Sequence, residues 1–541
     1  MRYPSTVLVI VITVACLALS DPARSQVRYS VAALTGQPAP GAGGATYANL
    51  RSPLLNDAGQ VAFRAELANS DRPFDWGIFS GSPGAMQLLA RNGDAAPGVP
   101  TDFTYGTLPR DPYALTGSGA VLFAASLSQS GTYTEGWGLW VASGNQAQVV
   151  CSQTVIAPGM DPYFDNLSGA TMRDSGVVAI TAELGGPSVN HTNYMGIWAG
   201  PAGNLQPVAR MGEQAVGAPI GITYADYESG VAFGIPALSD AGLVAFGGRT
   251  ANPQPGQFPQ SAAWAGQPGA LHLLAREGDP APQLPGETFG GVGSPAVARS
   301  GQLAFVASLS ATQKVIYAGT AEDLHVAVRT GQTPPGFADV AFDFLSPPVL
   351  NSAGHLAFTA SISASGGGDG EGGGAGLPEW GIWTGTDHAL RLVALKNGPA
   401  PDATPGSTFW SLDDPLINDL GQVAFGVYLS DLNAAGQHAA AIYLFDPSGG
   451  LQMILREDQL IESSGQWRTI RDIDTGSLAL NNSGQLALLA TFDDGSSGVL
   501  IAAIPEPAAS LLLGLLASGL LAPRFRGKPV KTWPNHDVVS F

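Results

Sequence analysis

Apolar and polar residues alternate along short segments of this chain, and alternation with a period of two predicts β-strands. In the clearest segment, the bulky side chains that share one face are Val61, Phe63, Ala65 and Leu67. In a second copy, the face opposite the bulky side chains holds Ala304, Val306 and Ser308, which are small and hardly polar. A strand that is bulky on one face and small on the other is expected to be packed on both sides.

A turn motif precedes these strands and recurs along the chain eight times. Its pattern is Asn-x-x-Gly-x-Val-Ala-Phe, and the best copies begin at Asn56, Asn351, Asn418 and Asn481. Looser copies centre on Gly119, Gly176, Gly242 and Gly301, and they carry Thr116, Arg173, Ser239 and Ala298 at the Asn position. Asn starts turns by bonding its own backbone, and Gly supplies the positive φ that closes them. We therefore expect hairpins with positive φ at Gly59, Gly301 and Gly421.

Three further short strands accompany each hairpin, as residues 46–50, 76–79 and 88–91 do in the first copy. Four strands in about sixty residues are typical of a propeller blade and too short for a sandwich domain. The repeat thus predicts an all-β fold, a β-propeller-like ring of about eight, or alternatively seven, four-stranded blades over residues 26–504. We expect burial at equivalent places of Phe63, Phe123, Phe246, Phe305, Phe358 and Phe425.

The closure of the ring is also predicted from the repeat. The first blade is expected to begin near Val27 and the last to end near Ile504. Since no terminal strand is evidently left over for exchange, the last blade is expected to close the ring by packing against the first.

The two ends of the chain differ from the repeats. Residues 1–25 have a positive start at Arg2, an apolar stretch and a small-x-small site, which together predict a signal peptide. At the other end, Pro505-Glu506-Pro507 precedes an uncharged apolar run and then Arg524 and Arg526. The apolar run predicts a membrane helix that is short for a bilayer, and the positive-inside rule places the basic end in the cytoplasm.

This carboxyl end resembles the PEP-CTERM sorting signal of Gram-negative bacteria. The resemblance implies that an exosortase-type enzyme recognises residues 505–528 and removes the helix, and that inner-membrane anchoring is transient before delivery to the cell surface or extracellular matrix. Residues 529–541, which make this end longer than the pattern, are predicted to form a cytoplasmic tail by the positive-inside rule. The repeats resemble an exported tandem-repeat family of the "choice-of-anchor" type, which brings no established catalytic activity. The alternative for the carboxyl end is an ordinary transmembrane anchor.

Charge and cysteine content narrow the function classes. The formal net charge of −19 argues against nucleic acid and anionic lipid as partners. The two cysteines are Cys16, in the predicted leader, and Cys151, so no internal disulfide is expected in the mature chain. Cys151 takes the strand position of Ala90, Ala209 and Ala275, which predicts a buried apolar residue rather than a nucleophile.

The search for chemistry finds no motif of a hydrolase, nucleotide-binding protein or zinc site. We therefore predict no catalytic residue, metal ligand or cofactor. Cations recur at the end of the fourth strand in six of the eight units, at Arg91, Arg210, Arg276, Arg329, Lys396 and Arg456. Each of them either pairs with a nearby acid, of which Asp94, Glu213 and Asp279 are examples, or contributes to a rim that binds carboxylated or sulfated glycan.

The leading hypothesis is an exported, exosortase-sorted and non-enzymatic β-propeller of the cell surface or extracellular matrix. One alternative is a secreted glycan-active enzyme, a lyase or glycosidase, which would need paired carboxylates at the mouth of a channel. The other is a polysaccharide- or calcium-binding module. Its calcium site would lie in the Gly-rich segment 365–376, which is otherwise expected to be a flexible loop.

Overall fold

Short strands, nearly all of them paired antiparallel, account for all the regular secondary structure in the described part of the chain. The computed structural model describes residues 27–129, 136–153, 163–224, 232–251, 258–310, 312–364, 379–463 and 465–504. The predicted signal peptide, the sorting segment with Pro505, Glu506, Pro507, Arg524 and Arg526, the tail and the Gly-rich loop all lie outside these residues. Within them, no helix is long and apolar enough to cross a membrane.

Within these described residues the strands form eight sheets, which we number in chain order. Strand β1 is Arg28–Leu34. Sheet 1 holds β2 (Thr46–Leu50), β3 (Leu54–Leu55), β4 (Val61–Ala68), β5 (Trp76–Gly81) and β6 (Gln87–Arg91). Sheet 2 holds β7 (Phe103–Tyr105), β8 (Ala114–Leu115), β9 (Val121–Gln129), β10 (Gly136–Ser143) and β11 (Gln146–Ser152). Sheet 3 holds β12 (Tyr163–Met172), β13 (Val177–Gly185), β14 (Met195–Pro201) and β15 (Gln206–Arg210). Sheet 4 holds β16 (Thr223–Tyr224), β17 (Ala237–Leu238), β18 (Val244–Ala251), β19 (Gln260–Gln267) and β20 (Ala270–Arg276).

The second half of the chain repeats this organisation. Sheet 5 holds β21 (Gly291–Val292), β22 (Ala296–Val297), β23 (Leu303–Ser308), β24 (Lys314–Gly319) and β25 (Leu324–Arg329). Sheet 6 holds β26 (Val340–Leu345), β27 (Val349–Leu350), β28 (Leu356–Ala364), β29 (Glu379–Gly385) and β30 (Arg391–Leu395). Sheet 7 holds β31 (Phe409–Leu412), β32 (Leu416–Ile417), β33 (Val423–Leu432), β34 (His438–Asp446) and β35 (Gly450–Arg456). Sheet 8 holds β36 (Leu460–Ser463), β37 (Gln466–Ile473), β38 (Ala479–Leu480), β39 (Gln485–Phe492) and β40 (Ser497–Ala503).

Sheets 1 to 7 are meanders, sheet 8 also takes up the amino-terminal strand, and the sheets are arranged as a β-propeller. In sheet 1, β2 and β3 both pair with β4 and act as one interrupted first strand, after which β5 and β6 follow in order. The short segments that end the first strands contact each other from sheet to sheet, and β38 of the last sheet contacts β3 of the first. The first strands therefore surround the central axis, and the fourth strands lie at the periphery.

Strand exchange closes the ring, which corrects the prediction of closure by packing alone. The amino-terminal strand β1 pairs antiparallel with β40 from Arg28↔Ala503 to Leu34↔Gly498, and it thereby becomes the fourth strand of sheet 8. The first sheet consequently starts at Thr46 rather than near Val27. The physical reason is that β40 would otherwise present an open row of backbone donors and acceptors at a sheet edge.

The core lies between neighbouring sheets. The side chains of Phe63 and Phe79 stack with ring centroids 5.9 Å apart, and Tyr47 meets Phe79 edge-on at 5.0 Å. Residues of sheet 8, such as Ile501, pack into this same cluster. The predicted burial is confirmed, since zero exposure is found for Phe63, Phe123, Phe246, Phe305, Phe358 and Phe425. Each sheet thus buries its faces only by contact with its neighbours.

The turn prediction is confirmed as well. The φ angles of Gly59, Gly301 and Gly421 are 74°, 93° and 75°. In each turn, the Gly amide donates to the carbonyl of the residue at the Asn position, as Gly59 does to Asn56 at 3.0 Å. The tight closure of the hairpin therefore requires the left-handed conformation at this glycine.

Replacing Phe63 by Ala should lower the free energy of unfolding by about 3–5 kcal/mol, because the change leaves a cavity between two sheets. Chemical denaturation of wild type and variant measures this difference. The matched control is Phe74→Ala, since the Phe74 side chain is 85% exposed. Equal stability of wild type and Phe63→Ala would contradict the inter-sheet core.

Candidate functional site

The strand directions give the ring two distinct faces. The Asn-x-x-Gly turns follow the first strands, so all of them lie on one face, which we call the turn face. The second strand runs away from this face, the third returns and the fourth runs away again. The fourth strands therefore end on the opposite face.

The predicted cations lie on that opposite face, at the periphery. Five of them share one register, opposite the start of the third strand, as Arg91↔Gly77 shows; the others are Arg210, Arg276, Arg329 and Arg456. In sheet 6, Leu395 takes this place opposite Gly381. Lys396 is one residue further along and does not continue the register, which corrects its assignment to the same position.

Arg91 shows how one of these cations is held. It is buried, and its Nη2 donates to the Asp75 carboxylate at 2.7 Å and to the Ser70 hydroxyl at 2.9 Å. Hydrogen bonding to Asp75 raises the pKa of Arg91 against the opposing effect of burial. The predicted partner Asp94 instead pairs with Arg72 at 2.8 Å. This guanidinium is therefore part of a loop anchor on its own sheet.

The remaining cations differ in their surroundings. Arg276 pairs with Asp279 at 2.7 Å, as predicted. Arg456 approaches Asp431 at 3.4 Å. Arg210 donates from Nε to the Asn193 carbonyl at 3.0 Å rather than forming the predicted pair with Glu213. Arg329 is exposed. The glycan-binding role of this rim stays a prediction.

A belt of asparagine side chains joins the sheets around the axis on the turn face. Each of these buried Asn residues donates from Nδ2 to the backbone carbonyl of the corresponding residue in the next sheet. The four bonds are Asn351 to Asn418 at 3.0 Å, Asn418 to Asn481 at 2.9 Å, Asn481 to Asn56 at 2.8 Å and Asn56 to Thr116 at 2.9 Å. This belt crosses the closure between sheet 8 and sheet 1.

The same side chains also close their own turns. Asn418 Oδ1 accepts from the amides of Leu420 and Gln422, and its Nδ2 gives a second bond to Gln422 Oε1 at 2.8 Å. Asn56 and Asn481 are bonded in the same way. One amide side chain therefore shapes its hairpin and ties it to the next sheet.

A second belt lies next to the first, one residue further along each turn. Here a backbone amide donates to a side chain of the following sheet: Ser352 to Asp419 at 2.7 Å, Asp419 to Asn482 at 2.8 Å and Asn482 to Asp57 at 2.8 Å. Gly117 donates to Asp174 in the same manner at 2.6 Å. These carboxylates are thus engaged by neighbouring turns.

In the turns that lack the motif asparagine, two arginine side chains form bonds between sheets. Arg173 stands at the Asn position of sheet 3, and its Nε donates to the Leu238 carbonyl at 2.5 Å, while Nη2 reaches the Val297 carbonyl at 3.3 Å. Arg299 of sheet 5 pairs with Asp174 at 2.6 Å and lies 4.0 Å from Asp57. The two side chains therefore link turns of non-adjacent sheets across the axis.

A polar cavity of about 220 Å³ lies among these turns, lined by Asp57, Arg173, Arg299, Asn351 and Asp419 together with residues of sheet 8. Burial and the nearby Arg299 lower the pKa of Arg173. For Arg299, burial acts downwards, but Asp174 and Asp57 raise the pKa overall. We call this place the axial mouth. In the part of the chain that the structure describes, no group of three or more His, Cys, Asp or Glu is arranged to hold a metal ion.

The sequence pattern alone missed the axial mouth. Its signal was present, since Arg173 replaces Asn in the motif, but the crossing of a guanidinium to two other sheets depends on the ring geometry. The predicted carboxylate pairs are elsewhere: Asp493 and Asp494 lie in a turn, and Asp413 and Asp414 lie in a loop.

A family model matches residues 23–225, 202–377 and 370–511, and the family is described as one of unknown function, DUF7453. The chain belongs to the DUF7453 family. A comparison with curated proteins finds no match. Family membership therefore carries no activity to this DUF7453 protein.

Solved structures similar to this DUF7453 protein are propellers and enzymes with little sequence identity. The β-propeller domain of the Trilobed protease from Pyrococcus furiosus is 9% identical, with 75% of this chain and 98% of that chain covered and a TM-score of 0.36. Polysaccharide lyase Uly1 is 9% identical, with 89% and 100% covered and a TM-score of 0.34. A Trypanosoma rangeli sialidase is 9% identical, with 92% and 62% covered and a TM-score of 0.28. At these scores the similarities carry no inference about activity.

Replacing Asn418 by Ala should destabilise the ring. The change removes the donor to the buried Asn481 carbonyl, and such a stranded group costs about 1–3 kcal/mol. The turn itself should still form, because Ala298 occupies this position in sheet 5 and keeps the backbone bonds of the turn. Asn190→Ala, in an exposed turn, is the control and should change stability by less than about 0.5 kcal/mol. Equal effects of the two changes in urea denaturation would contradict the belt.

Cys151 should resist alkylation in the folded protein. The residue is buried, and burial raises the pKa of its thiol, so the reactive thiolate is scarce. We expect labelling by iodoacetamide at pH 8 only after denaturation, measured by mass spectrometry. Rapid labelling of the native protein would reopen the nucleophile hypothesis.

Proposed function

We propose that this protein is an exported, non-enzymatic β-propeller that is sorted to the cell surface or extracellular matrix and serves there as a rigid binding protein. The observation that carries the non-enzymatic part is the state of the axial mouth. Its arginines and carboxylates are bonded to each other and to backbone groups of other sheets.

A glycan-active enzyme is the competing hypothesis, and it would need two carboxylates that are free to act as acid and base or nucleophile. At the mouth, Asp174 is paired with Arg299, and Asp57 accepts from both the backbone and the side chain of Asn482. Carboxylates held in this way act as structural acceptors. The arrangement therefore argues against acid–base catalysis by these carboxylates at the mouth.

The blade number belongs to the same proposal. We infer that each of the eight sheets is one blade, because the inner segments contact each other in chain order and the last contacts the first. The exchanged strand β1 completes the eighth blade.

The proposed address depends on the carboxyl-terminal sequence. Pro505 and Pro507 interrupt any regular structure that continues from Ile504, and the apolar run with its basic end then provides transient anchoring in the inner membrane. An exosortase-type enzyme would act on this segment and release the propeller to the outside. Extracellular polysaccharide is the class of partner that such a location offers.

Processing gives the test of the address. Protein recovered from the native producer should have an intact mass that corresponds to a chain starting near Gln26 and ending close to Pro507. Glu506→Ala should retain the unprocessed chain in the inner membrane, measured by fractionation and mass spectrometry. The control is Glu322→Ala, an exposed glutamate of the ring, which should be processed normally. A wild-type mass that still includes residues 511–526 would leave a plain membrane anchor.

A further inference from the structure

Aromatic and cationic side chains follow one another on the face opposite the turn face, across sheets 5, 6 and 7. We call this set the aromatic strip, and its members are Lys314, Phe344, Trp380, Lys396, Trp410 and His438. Lys314, Trp380 and His438 lie at the starts of the third strands β24, β29 and β34. Lys396 directly follows the fourth strand β30, and Phe344 and Trp410 lie in the first strands β26 and β31. All of them therefore belong to one face of the ring.

The first half of the strip joins sheet 5 to sheet 6. Lys314 Nζ lies 3.7 Å from the centroid of the Phe344 ring, and the Phe344 and Trp380 rings are 5.5 Å apart at an angle of 57°. The Trp380 carbonyl accepts from the Lys396 amide at 2.7 Å. Ring contacts thus run from Lys314 to Trp380, and a backbone hydrogen bond then links Trp380 to Lys396.

The second half joins sheet 6 to sheet 7. Lys396 Nζ lies 6.0 Å from the centroid of the Trp410 ring, at the outer limit of a cation–π contact. The Trp410 ring stacks on His438 with centroids 4.2 Å apart and planes inclined by 16°. His438 is fixed in turn, because its Nδ1 lies 2.9 Å from the Leu429 carbonyl. The one-residue offset of Lys396 from the arginine register places it in this strip.

The tryptophans of the strip remain available to a partner. Trp380 is 38% exposed and Trp410 is 50% exposed, whereas the core tryptophans Trp140, Trp264 and Trp383 have zero exposure. Each exposed ring is oriented by a neighbouring ring, so its position is set before any partner binds. Preordered aromatic side chains lose little conformational entropy on binding, and they are common anchors of binding sites.

We propose that the aromatic strip binds an uncharged polysaccharide chain. The axial C–H bonds of a pyranose ring form an apolar, weakly positive face that packs on the negative face of an indole. The lysine ammonium groups can donate to sugar hydroxyls while they remain over their rings. Rings and donors that follow one another across three sheets suit an extended polymer.

The charges around the strip favour an uncharged polymer over an acidic one. Exposed carboxylates adjoin the rings, with Glu379 before Trp380 and Asp343 before Phe344. The whole chain has a formal net charge of −19, which disfavours polyanions such as polyuronates and nucleic acids. The choice of ligand rests on the proposed extracellular location, while the strip itself rests on the contacts above.

The experiment measures binding of the full purified chain to xylan, curdlan and cellulose, with alginate, polygalacturonate and single-stranded DNA in parallel. We expect binding to at least one uncharged polysaccharide, and about a tenfold or greater loss of affinity in Trp380→Ala/Trp410→Ala, which removes two anchors. Trp410→Tyr should keep most of the affinity, since it retains a stacking ring. Trp467→Ala is the matched control, because Trp467 is 68% exposed on sheet 8 and outside the strip.

The outcomes separate this inference from the proposed function. Unchanged affinity of the double variant, binding only to acidic polymers or DNA, self-association of the chain through these tryptophans, or no polysaccharide binding would each overturn the strip assignment. Thermal unfolding verifies that the variants are folded. Release of reducing ends during the assay would overturn the non-enzymatic proposal while leaving the strip intact.

Discussion

The hydrogen bond from an asparagine side chain to the backbone of the next sheet is the interaction on which the ring depends. The turns meet at the axis, where backbone groups are buried and cannot be satisfied by water. An asparagine side chain satisfies these groups, because it closes its own turn and donates to a backbone carbonyl in the next sheet. This is seen at Asn351, Asn418 and Asn481. Because every such bond spans two sheets, the stability of one sheet depends on the presence of the next. The same bonding continues from Asn481 to Asn56, where the two ends of the repeat array meet.

In the turns of sheets 2 to 5, charged side chains contribute to satisfying the backbone groups at the axis. Thr116, Arg173, Ser239 and Ala298 cannot all reproduce the amide belt, and the guanidinium groups of Arg173 and Arg299 reach across the opening instead. The Arg299 side chain is partly buried, and carboxylates of the second belt provide its partners, with Asp174 at 2.6 Å and Asp57 at 4.0 Å. The axial mouth is therefore a structural junction, and this state of its charged groups is the reason to look for ligand binding elsewhere on the ring.

The opposite face has a different physical character. Its arginines are anchored on their own sheets to varying degrees, from the buried Arg91 to the exposed Arg329. Lys396 departs from their register by one residue and so joins aromatic rings rather than acids. Trp380 and Trp410 are partly exposed although neighbouring rings hold them in place, and contiguous exposed apolar surface commonly marks a partner site. A rigid ring with one structural face and one aromatic face is consistent with a binding protein.

The sequence by itself determined the repeat, the all-β class, the positive φ of Gly59, Gly301 and Gly421 and the burial of the equivalent phenylalanines. These features are local, because they depend on turn chemistry and on the period-two pattern of a single strand. Only the tertiary structure decided the exchange of β1 into sheet 8, the crossing of Arg173 to two other sheets and the meeting of Trp380, Lys396 and Trp410. Each of these joins residues that are far apart in the chain or displaced by one register position. Such contacts depend on how whole sheets are placed around the axis, and no local pattern encodes that placement.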